Sequence, residues 1–157
     1  MLLGNLALAI AWAALQADFS LANLLVGHTI GYLILLGLTR GGVFPESRYI
    51  GKVSLAVSLG LYFLWELIHA NFRLAADVVT PRFGMSPGII AVPLDAKRDQ
   101  EILLLAALIN LTPGSVALDV ADDRSVMYVH VMYMTDPDTA RAEIKNGFER
   151  RVLELLR

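Results

Sequence analysis

Residues 53–79 read VSLAVSLGLYFLWELIHANFRLAADVV, and this segment changes character at Glu66. It carries no charge before Glu66, whereas Arg73 and Asp77 follow within the same helical pattern. A helix satisfies its own backbone in hydrocarbon, but ionised side chains are strongly disfavoured there. The segment therefore predicts a long helix whose first half lies in a membrane and whose second half approaches water.

The same division holds for the chain as a whole. The first 39 residues contain one charged side chain, Asp18, whereas residues 81–157 contain nine Lys or Arg and eleven Asp or Glu. Such an uneven distribution is typical of a membrane domain followed by a water-exposed domain. We place the membrane domain at residues 1–80, a linker at 81–88 and an α/β domain at 89–157.

Three apolar segments are candidates for membrane helices. They are residues 2–17, 21–38 and 53–79. At 1.5 Å rise per residue the helices would be roughly 24, 27 and 40 Å long, against about 30 Å of bilayer hydrocarbon. The first two are short for a full span, so the sequence predicts two to three transmembrane helices.

The orientation of these helices is ambiguous. The loop at residues 40–52 contains Arg40, Arg48 and Lys52 against Glu46, which places it in the cytoplasm by the positive-inside rule. The tail after the third helix also begins with basic residues, although a full crossing puts it on the opposite side. Either the third helix crosses and the loop breaks the rule, or its charged half runs along the interface. We favour three crossings with a cytoplasmic tail.

The tail has the pattern of a small α+β domain. Its predicted elements are a strand at 89–92, a helix at 98–111, a hairpin at 115–133 and a final helix from the Asp136 cap to about residue 156. The turn Thr112-Pro113-Gly114 separates the first helix from the hairpin, since proline breaks a helix and glycine permits positive φ. The order βαββα predicts a ferredoxin-like unit without its last strand.

The hairpin has a predicted register. A two-residue loop at Asp122-Asp123 pairs Leu118 with Met127 and Val116 with Val129, which brings the apolar residues of both strands to one face. The apolar positions are Val116, Leu118 and Val120 on the first strand and Met127, Val129 and Val131 on the second. Asp119 and His130 fall on the other face, where a solvated or partner-facing surface explains them better than catalysis. The final helix is predicted to bury a continuous stripe: Ala140, Ile144, Phe148, Val152 and Leu155 or Leu156.

Several classes of function lack support in the sequence. The chain has no cysteine, its formal net charge is −2, and no basic stripe indicates nucleic-acid binding. His28, His69 and His130 lie in separate elements, and none has a second ligand at metal-binding spacing. Gly41-Gly42 lacks the Lys-Ser/Thr that ends a phosphate loop. We therefore predict no enzyme activity, no catalytic residue, no cofactor and no metal site.

A polar stripe on the third helix is the candidate site. Glu66, His69, Arg73 and Asp77 are spaced by three, four and four residues, so they project from one helical face. Ionisable groups at membrane depth often mark proton or ion paths, and histidine titrates near neutral pH. A structural or subunit-contact role explains the same residues, and one helix alone cannot form a pathway.

Four short motifs resemble those of a known family. In order, they are Trp65-Glu66-Leu67-Ile68-His69-Ala70-Asn71-Phe72, Pro87-Gly88-Ile89-Ile90, Asn110-Leu111-Thr112-Pro113-Gly114-Ser115 and Tyr128-Val129-His130. Together they resemble the E subunits of the multisubunit Na+/H+ antiporters of Mrp (Mnh) type, over nearly the whole chain. A familiar variant has Thr in place of Ser115, which is a conservative difference at a turn.

The resemblance implies a place in a large complex of the bacterial inner membrane. Such a complex exchanges sodium ions for protons, and the exchange is assigned mainly to large subunits similar to those of respiratory complex I. The resemblance therefore implies an accessory and assembly subunit whose partners are the other antiporter subunits and membrane lipid. Two alternatives remain open: a membrane-anchored sensor or ligand-binding module, and a self-contained ion carrier.

Overall fold

The computed structural model describes residues 1–45, 48–80 and 84–157, with a helical N-terminal part followed by a small domain of helices and strands. The first helices are α1 (Leu2–Leu15), α2 (Leu21–Arg40) and α3 (Arg48–Val79). There follow β1 (Gly88–Pro93), α4 (Asp99–Leu111), β2 (Ser115–Val120), β3 (Val126–Val131), α5 (Pro137–Ile144) and α6 (Arg150–Leu156), with a π-helical turn at Lys145–Glu149. Of the described helices, α2 and α3 are long and apolar enough to cross a membrane, and α1 is a shorter apolar helix.

The chain divides into two compact units, Met1–Ser54 and Leu55–Arg157. The division falls inside α3, so this helix contributes its start to one unit and its remainder to the other. The predicted domain boundary at residue 80 follows composition instead, and it stays a prediction. Part of the predicted linker, residues 81–83, lies outside the described residues. Ser86, near its end, already forms a backbone bridge with Tyr133.

Small residues allow α1 and α2 to approach each other closely. Ala9 and Ala13 of α1 are buried, as are Gly27 and Gly31 of α2. A Cβ atom on Gly27 would lie only 3.0 Å from the carbonyl oxygen of Ala9. Glycines four residues apart form the small-residue pattern that lets membrane helices pack backbone to backbone. This packing explains why the two short helices form one hairpin.

The connection between α1 and α2 is tightly capped. Ala17 adopts a left-handed φ of 52°, which ends α1 at Leu15, two residues before the predicted end. The carboxylate of Asp18 accepts hydrogen bonds from the backbone and hydroxyl of Ser20, at 2.8 and 3.0 Å. The Ser20 hydroxyl in turn accepts from the Asn23 backbone at 3.3 Å and caps α2. The single charge of the N-terminal region therefore shapes a turn.

The three strands form an antiparallel sheet in the order β1-β3-β2. Helices α4, α5 and α6 cover one face, and the core lies between them and the sheet. Its buried members from the sheet include Ile90, Val92, Met127 and Val129, and those from the helices include Leu105, Ile109, Phe148 and Val152. The other face of the sheet has no covering element among the described residues, and Ile89, Val116 and Tyr128 are exposed there.

The predicted face of β3 is confirmed, but that of β2 is wrong at Val116 and Leu118. Met127 and Val129 are fully buried, and Val131 is half-buried against the core. On β2, by contrast, Val116 and Leu118 are 45% and 52% exposed. Val116 pairs with His130 where the prediction paired it with Val129, so the register is displaced by one residue.

Two features of the hairpin explain this displacement. The connection is longer than two residues, since β2 ends at Val120 and β3 begins at Val126. Within it, Asp123 Oδ1 accepts hydrogen bonds from the Ser125 backbone at 3.0 Å and from the Ser125 hydroxyl at 2.6 Å. Arg124 completes the turn with a left-handed φ of 58°. In β2, the register with β3 shifts between Ala117 and Asp119. This bulge returns Val120 to the core face. Asp119 and His130 still lie on the open face, as predicted.

The final helix is not continuous, which corrects the prediction. Asp136 caps it as expected, with its carboxylate accepting from the Thr139 backbone at 2.8 Å. A π-helical turn then interrupts it, in which the Arg150 N–H bonds the Lys145 carbonyl. The extra residue in that turn allows two consecutive side chains, Phe148 and Glu149, to be buried. Glu149 was not part of the predicted stripe.

Side chains from α5 and the π-helical turn cover part of the free edge of β1. Arg141 Nε donates to the Ala91 carbonyl at 2.9 Å, and Lys145 Nζ donates to the Pro93 carbonyl at 2.7 Å. These carbonyl groups alternate along the strand and point away from β3. Charged side chains at a sheet edge discourage pairing with a foreign strand.

Candidate functional site: a cleft between the third helix and the α/β domain

A cleft of about 550 Å³ lies between the second half of α3 and the domain formed by β1 to α6. Glu66, His69 and Arg73, three members of the predicted stripe, line it from the helix. The turn Thr112–Gly114 and the side chain of Tyr133 line it from the domain. Two sequence features that were identified separately therefore meet at one place.

The stripe residues differ in their surroundings. Glu66 is half-buried, and its carboxylate interacts with the hydroxyl of Tyr62, one turn earlier on α3. His69 is exposed, and its ring stacks on that of Trp65 with a centroid distance of 6.4 Å. Aromatic side chains of this kind are common where a helix passes through the membrane–water interface. This part of α3 therefore has the side chains of an interfacial segment.

Arg73 and Asp77 both contact Tyr133, which the sequence analysis did not single out. The Arg73 guanidinium lies 5.2 Å from the centre of the Tyr133 ring, within the range of a cation–π interaction. The neighbouring Asp77 carboxylate raises the pKa of Tyr133. The Tyr133 hydroxyl and Asp77 Oδ2 are both buried, and neither forms a hydrogen bond of normal geometry among the described residues. Tyr133 thus contacts both charged residues at the end of the stripe.

Backbone hydrogen bonds fix the turn on the opposite wall. The Thr112 hydroxyl donates to the Leu108 carbonyl at 2.9 Å, and the Ser115 hydroxyl donates to the Ile109 carbonyl at 2.9 Å. Gly114 has a φ of 90°, a left-handed conformation that disfavours other residues. Its carbonyl accepts from the Met132 N–H at 2.7 Å, which positions the neighbouring Tyr133 at the cleft. The turn is therefore a rigid wall of the cleft.

The π-helical turn forms the third wall, around Tyr62. The Tyr62 ring packs edge-on against Phe148 at a centroid distance of 5.2 Å, and the Arg151 guanidinium lies 3.8 Å from its centre. A Cβ atom at Gly147 would collide with the Tyr62 hydroxyl. Glycine within a predicted helix was the one sequence signal for this contact. Its energetic cost in a helix is offset where it permits close packing.

A network of buried charges holds the opposite end of the domain. Glu149 is 1% exposed, and its Oε1 accepts from the backbone of Asp95 at 2.7 Å and of Ala96 at 3.0 Å. Glu101 is equally buried and accepts from the backbone of Lys97 at 3.0 Å. Arg157 pairs with Glu101 at 3.1 Å. The loop between β1 and α4 is thus anchored by carboxylates, a structural role that sequence reasoning missed.

This network gives a testable dependence of stability on pH. The hydrogen bond from Arg157, together with backbone N–H groups, lowers the pKa of Glu101 from its ordinary value of 4.5 to about 2. A carboxylate with a lowered folded-state pKa stabilises the fold above its unfolded pKa, and this stabilisation is lost as the pH falls through the folded value. We therefore expect the difference in unfolding free energy between wild type and Glu101→Gln to shrink between pH 4.5 and 2.

Thermal unfolding of the full chain in detergent, followed by circular dichroism, measures this difference. Asp122→Asn, which removes an exposed carboxylate of the hairpin loop, is the matched control. Its difference from wild type should stay small and nearly constant over the same range. A Glu101→Gln deficit that stayed unchanged from pH 7 to pH 2 would contradict the proposed ionisation of Glu101 in the folded state.

The side chains that line the cleft are suited to binding through aromatic and charged contacts. Its charged members from the π-helical turn and its flanking helices are Glu143, Arg150 and Arg151, so both signs are present. Within the described ranges, no three His, Asp or Glu side chains are grouped to hold a metal ion. The Thr112 and Ser115 hydroxyls in the cleft donate to backbone carbonyl groups, and the Tyr62 hydroxyl contacts the Glu66 carboxylate. What the cleft offers is a set of aromatic and charged side chains for binding.

Comparison with known proteins covers the membrane helices and the domain together. The profile of the family described as "MNHE: Na+/H+ ion antiporter subunit" matches residues 5–155. The chain belongs to this family of Na+/H+ antiporter subunits. Its relatives include a protein described as the E subunit of the Na(+)/H(+) antiporter of Alkalihalophilus pseudofirmus, at 34% identity over 96% of this chain and 94% of the relative. The Bacillus subtilis protein of the same description is 33% identical over 98% of this chain and 96% of the relative.

Two solved structures contain chains with a similar fold. A chain of the Mrp complex from Dietzia sp. DQ12-45-1b matches 65% of this chain and 96% of its own length, with 26% identity and a TM-score of 0.51. A chain of the membrane-bound sulfane sulfur reductase, an archaeal respiratory membrane complex, matches 96% of this chain and 95% of its own length, with 25% identity and a TM-score of 0.56. Both similar chains are parts of larger complexes.

Proposed function

We propose that the chain is an accessory subunit of a multisubunit Na+/H+ antiporter of the bacterial inner membrane. The observation that carries the proposal is the cleft, where the polar stripe of α3 and the Thr112–Gly114 turn meet without any catalytic arrangement. The relatives that align over nearly the whole chain are described as E subunits of such antiporters. In this proposal the partners are other antiporter subunits, including large subunits similar to those of complex I, together with membrane lipid.

The proposal assigns the main ion path to the partners. The α1–α2 hairpin is closely packed through its small residues, which leaves little space between its helices for a hydrated ion. The stripe of α3 lies on one helix, and its residues Arg73 and Asp77 contact Tyr133. These contacts support a role in holding the helix, the domain and a neighbouring subunit together. The chain is accordingly not an enzyme in this proposal.

The proposal also includes a topology. Helices α1, α2 and α3 each cross the membrane, and the α/β domain lies in the cytoplasm. Residues 1–80 form the membrane domain and residues 89–157 the α/β domain. The order β1-β3-β2, with α4 connecting β1 to β2, supports a βαββα unit related to the ferredoxin-like fold without its last strand. In this arrangement Glu66 and His69 lie at the cytoplasmic surface of the membrane.

A ligand-binding role is the second candidate, because the cleft is large enough to hold a small molecule. Its volume of about 550 Å³ falls within the usual range for small-molecule sites, since α3 supplies a wall that the domain alone lacks. Arg73 and Arg151 would favour an anionic ligand. Native mass spectrometry of the purified complex decides between the two roles. A bound small molecule that is lost in Arg73→Ala would favour the sensor or ligand-binding module.

Substitution of Glu66 tests the contact role. Glu66→Gln keeps the size and most hydrogen bonding of the side chain but removes its charge, whereas Glu66→Ala removes the contact. We expect Glu66→Gln to leave exchange per assembled complex close to wild type, and Glu66→Ala to reduce the amount of complex several-fold. Exchange is measured by dye fluorescence in everted vesicles, and the amount of complex by blue native electrophoresis.

Glu154→Ala is the matched control, because Glu154 is half-exposed on α6 and lies outside the cleft. It should leave both exchange and assembly unchanged. A fully assembled Glu66→Gln complex without exchange would instead assign the stripe to a proton path.

A further inference from the structure

The arginines of the unit Leu55–Arg157 differ in their pairing. Five of those that the structure describes lie within ion-pair distance of a carboxylate: Arg98, Arg124, Arg141, Arg150 and Arg157. The other two described arginines of this unit, Arg73 and Arg151, have no carboxylate at that distance among the described residues, and both line the cleft. The cleft is thus the place where guanidinium charge lacks an ion-pair partner in the described part of this unit.

Each of these two guanidinium groups lies against the face of a tyrosine ring. That of Arg73 is 5.2 Å from the centre of the Tyr133 ring, and that of Arg151 is 3.8 Å from the centre of the Tyr62 ring. A ring covers one flat side of a guanidinium and leaves the N–H groups at its edge able to donate. Among the described residues, Arg73 donates no hydrogen bond, and Arg151 donates only through Nη1, to two backbone carbonyl groups. Both side chains therefore keep N–H donors for an anionic ligand.

The carboxylates in the cleft restrict the charge of that anion. Glu66 and Glu143 also line it, and Glu66 contacts the Tyr62 hydroxyl. A phosphate monoester carries about 1.5 to 2 negative charges at pH 7, and the carboxylates repel it more strongly than a diester, which carries a single charge. Arginine N–H groups recognise the oxygens of either in the same way. A phosphate diester is therefore the anion that suits the cleft.

The mouth of the cleft adjoins an apolar surface of α3. Trp65 lines the cleft and is 65% exposed. Along the same side of the helix, Leu61, Ile68 and Phe72 are 64%, 43% and 73% exposed. Positions 61, 65, 68 and 72 are spaced by four, three and four residues, so their side chains form one stripe. A ligand that combines a phosphate diester with long apolar chains can fill the cleft and cover this apolar stripe at the same time.

We propose that the cleft binds the headgroup of a membrane phospholipid. Its phosphate accepts hydrogen bonds from arginine N–H groups of the cleft, and its acyl chains lie along the apolar stripe. Because Arg73 belongs to α3 and Arg151 to α6, the bound headgroup joins the helix to the domain. The inference rests on the proposed function for one point, which is the position of Glu66 and His69 at the membrane surface. A phospholipid is a component of that membrane, so it is compatible with the accessory role, whereas a water-soluble ligand favours the sensor.

Photocrosslinking tests this site. The full chain is purified through its own affinity tag, together with the subunits that accompany it, and is reconstituted in nanodiscs with phosphatidylglycerol whose acyl chain carries a diazirine. Mass spectrometry then identifies the labelled peptides. We expect labelling of peptides that contain residues 65–72, because the acyl chains of the bound lipid lie there. Labelling should fall several-fold in Arg73→Gln/Arg151→Gln. A diacylglycerol that carries the same diazirine but lacks the phosphate should label the wild-type peptides several-fold less.

Arg124→Gln is the matched control. It removes the same charge from a residue outside the cleft, where Arg124 pairs with Asp99. Its labelling should equal that of wild type, and an excess of inorganic phosphate should leave the wild-type labelling unchanged.

Equal labelling of wild type by the two lipids overturns the proposal without any variant. Displacement of the lipid by inorganic phosphate also overturns it, since the site would then bind free phosphate. The same sample shows whether the other antiporter subunits accompany the chain. Their absence would contradict the proposed function, while the labelling of the chain itself still decides this proposal.

Discussion

Replacing Val129 with aspartate is expected to unfold the α/β domain. Val129 is completely buried at the centre of the sheet, where it pairs with Ile90 on one side and Ala117 on the other. A carboxylate at this position would be surrounded by apolar groups without a partner, which costs several kcal/mol and is comparable with the whole stability of a small domain. Hydrogen–deuterium exchange of peptides from β3 and α4, within the full chain in detergent, measures the loss of protection.

Asp119→Asn is the control for this substitution. Asp119 is exposed on the open face of the same sheet, and its Oδ1 accepts from the Val120 backbone at 2.8 Å. An asparagine oxygen keeps that bond, so exchange in β3 should stay within experimental error of wild type. Equal protection of β3 in the two variants would show that the assignment of the sheet faces is incorrect.

Replacing Glu149 with leucine is expected to have an effect of similar size. The buried carboxylate accepts two backbone hydrogen bonds from the loop after β1 and pairs with Lys145 at 2.8 Å. Leucine leaves both N–H groups without their acceptor and deprives the lysine of its buried partner. Breaking a buried pair in this way costs about 3–5 kcal/mol. Chemical denaturation of the full chain should show this loss as a lower midpoint with little change in slope.

Glu154→Leu provides the comparison on the same helical region. Its carboxylate is half-exposed, and its nearest basic atom is the Arg150 Nε at 3.9 Å. Exposed pairs of this kind contribute less than about 1 kcal/mol. A similar loss of stability in the two leucine variants would mean that the buried anchor of the loop is unimportant.

The helices could be predicted because their signals are local. The apolar segments, the Asp136 cap and the turn at Thr112–Gly114 each depend on a few neighbouring residues. The face of β3 was also predictable, since two of its three apolar residues are fully buried. Alternation in β2 was misleading, because a bulge and a longer turn decided which of its residues reach the core.

The candidate site was only partly predictable for a different reason. Spacing on one helix is enough to group Glu66, His69 and Arg73, and a proline-glycine turn is visible by itself. That both line one cleft depends on contacts between distant segments, such as Tyr133 with Arg73. Similarly, the π-helical turn follows from packing around Gly147 and from the loop that Glu149 binds. Neither the packing around Gly147 nor the contact between Glu149 and that loop can be predicted from residues 145–149 alone.

The covered edge of β1 has a consequence for biogenesis. A subunit of a large assembly must remain separate from its own copies until its partners are inserted. Open strand edges are sites where unassembled chains can join into aggregates. Because Arg141 and Lys145 occupy the Ala91 and Pro93 carbonyls, a strand from another copy would have to displace two charged side chains first. The nascent protein thereby carries its own protection against self-association.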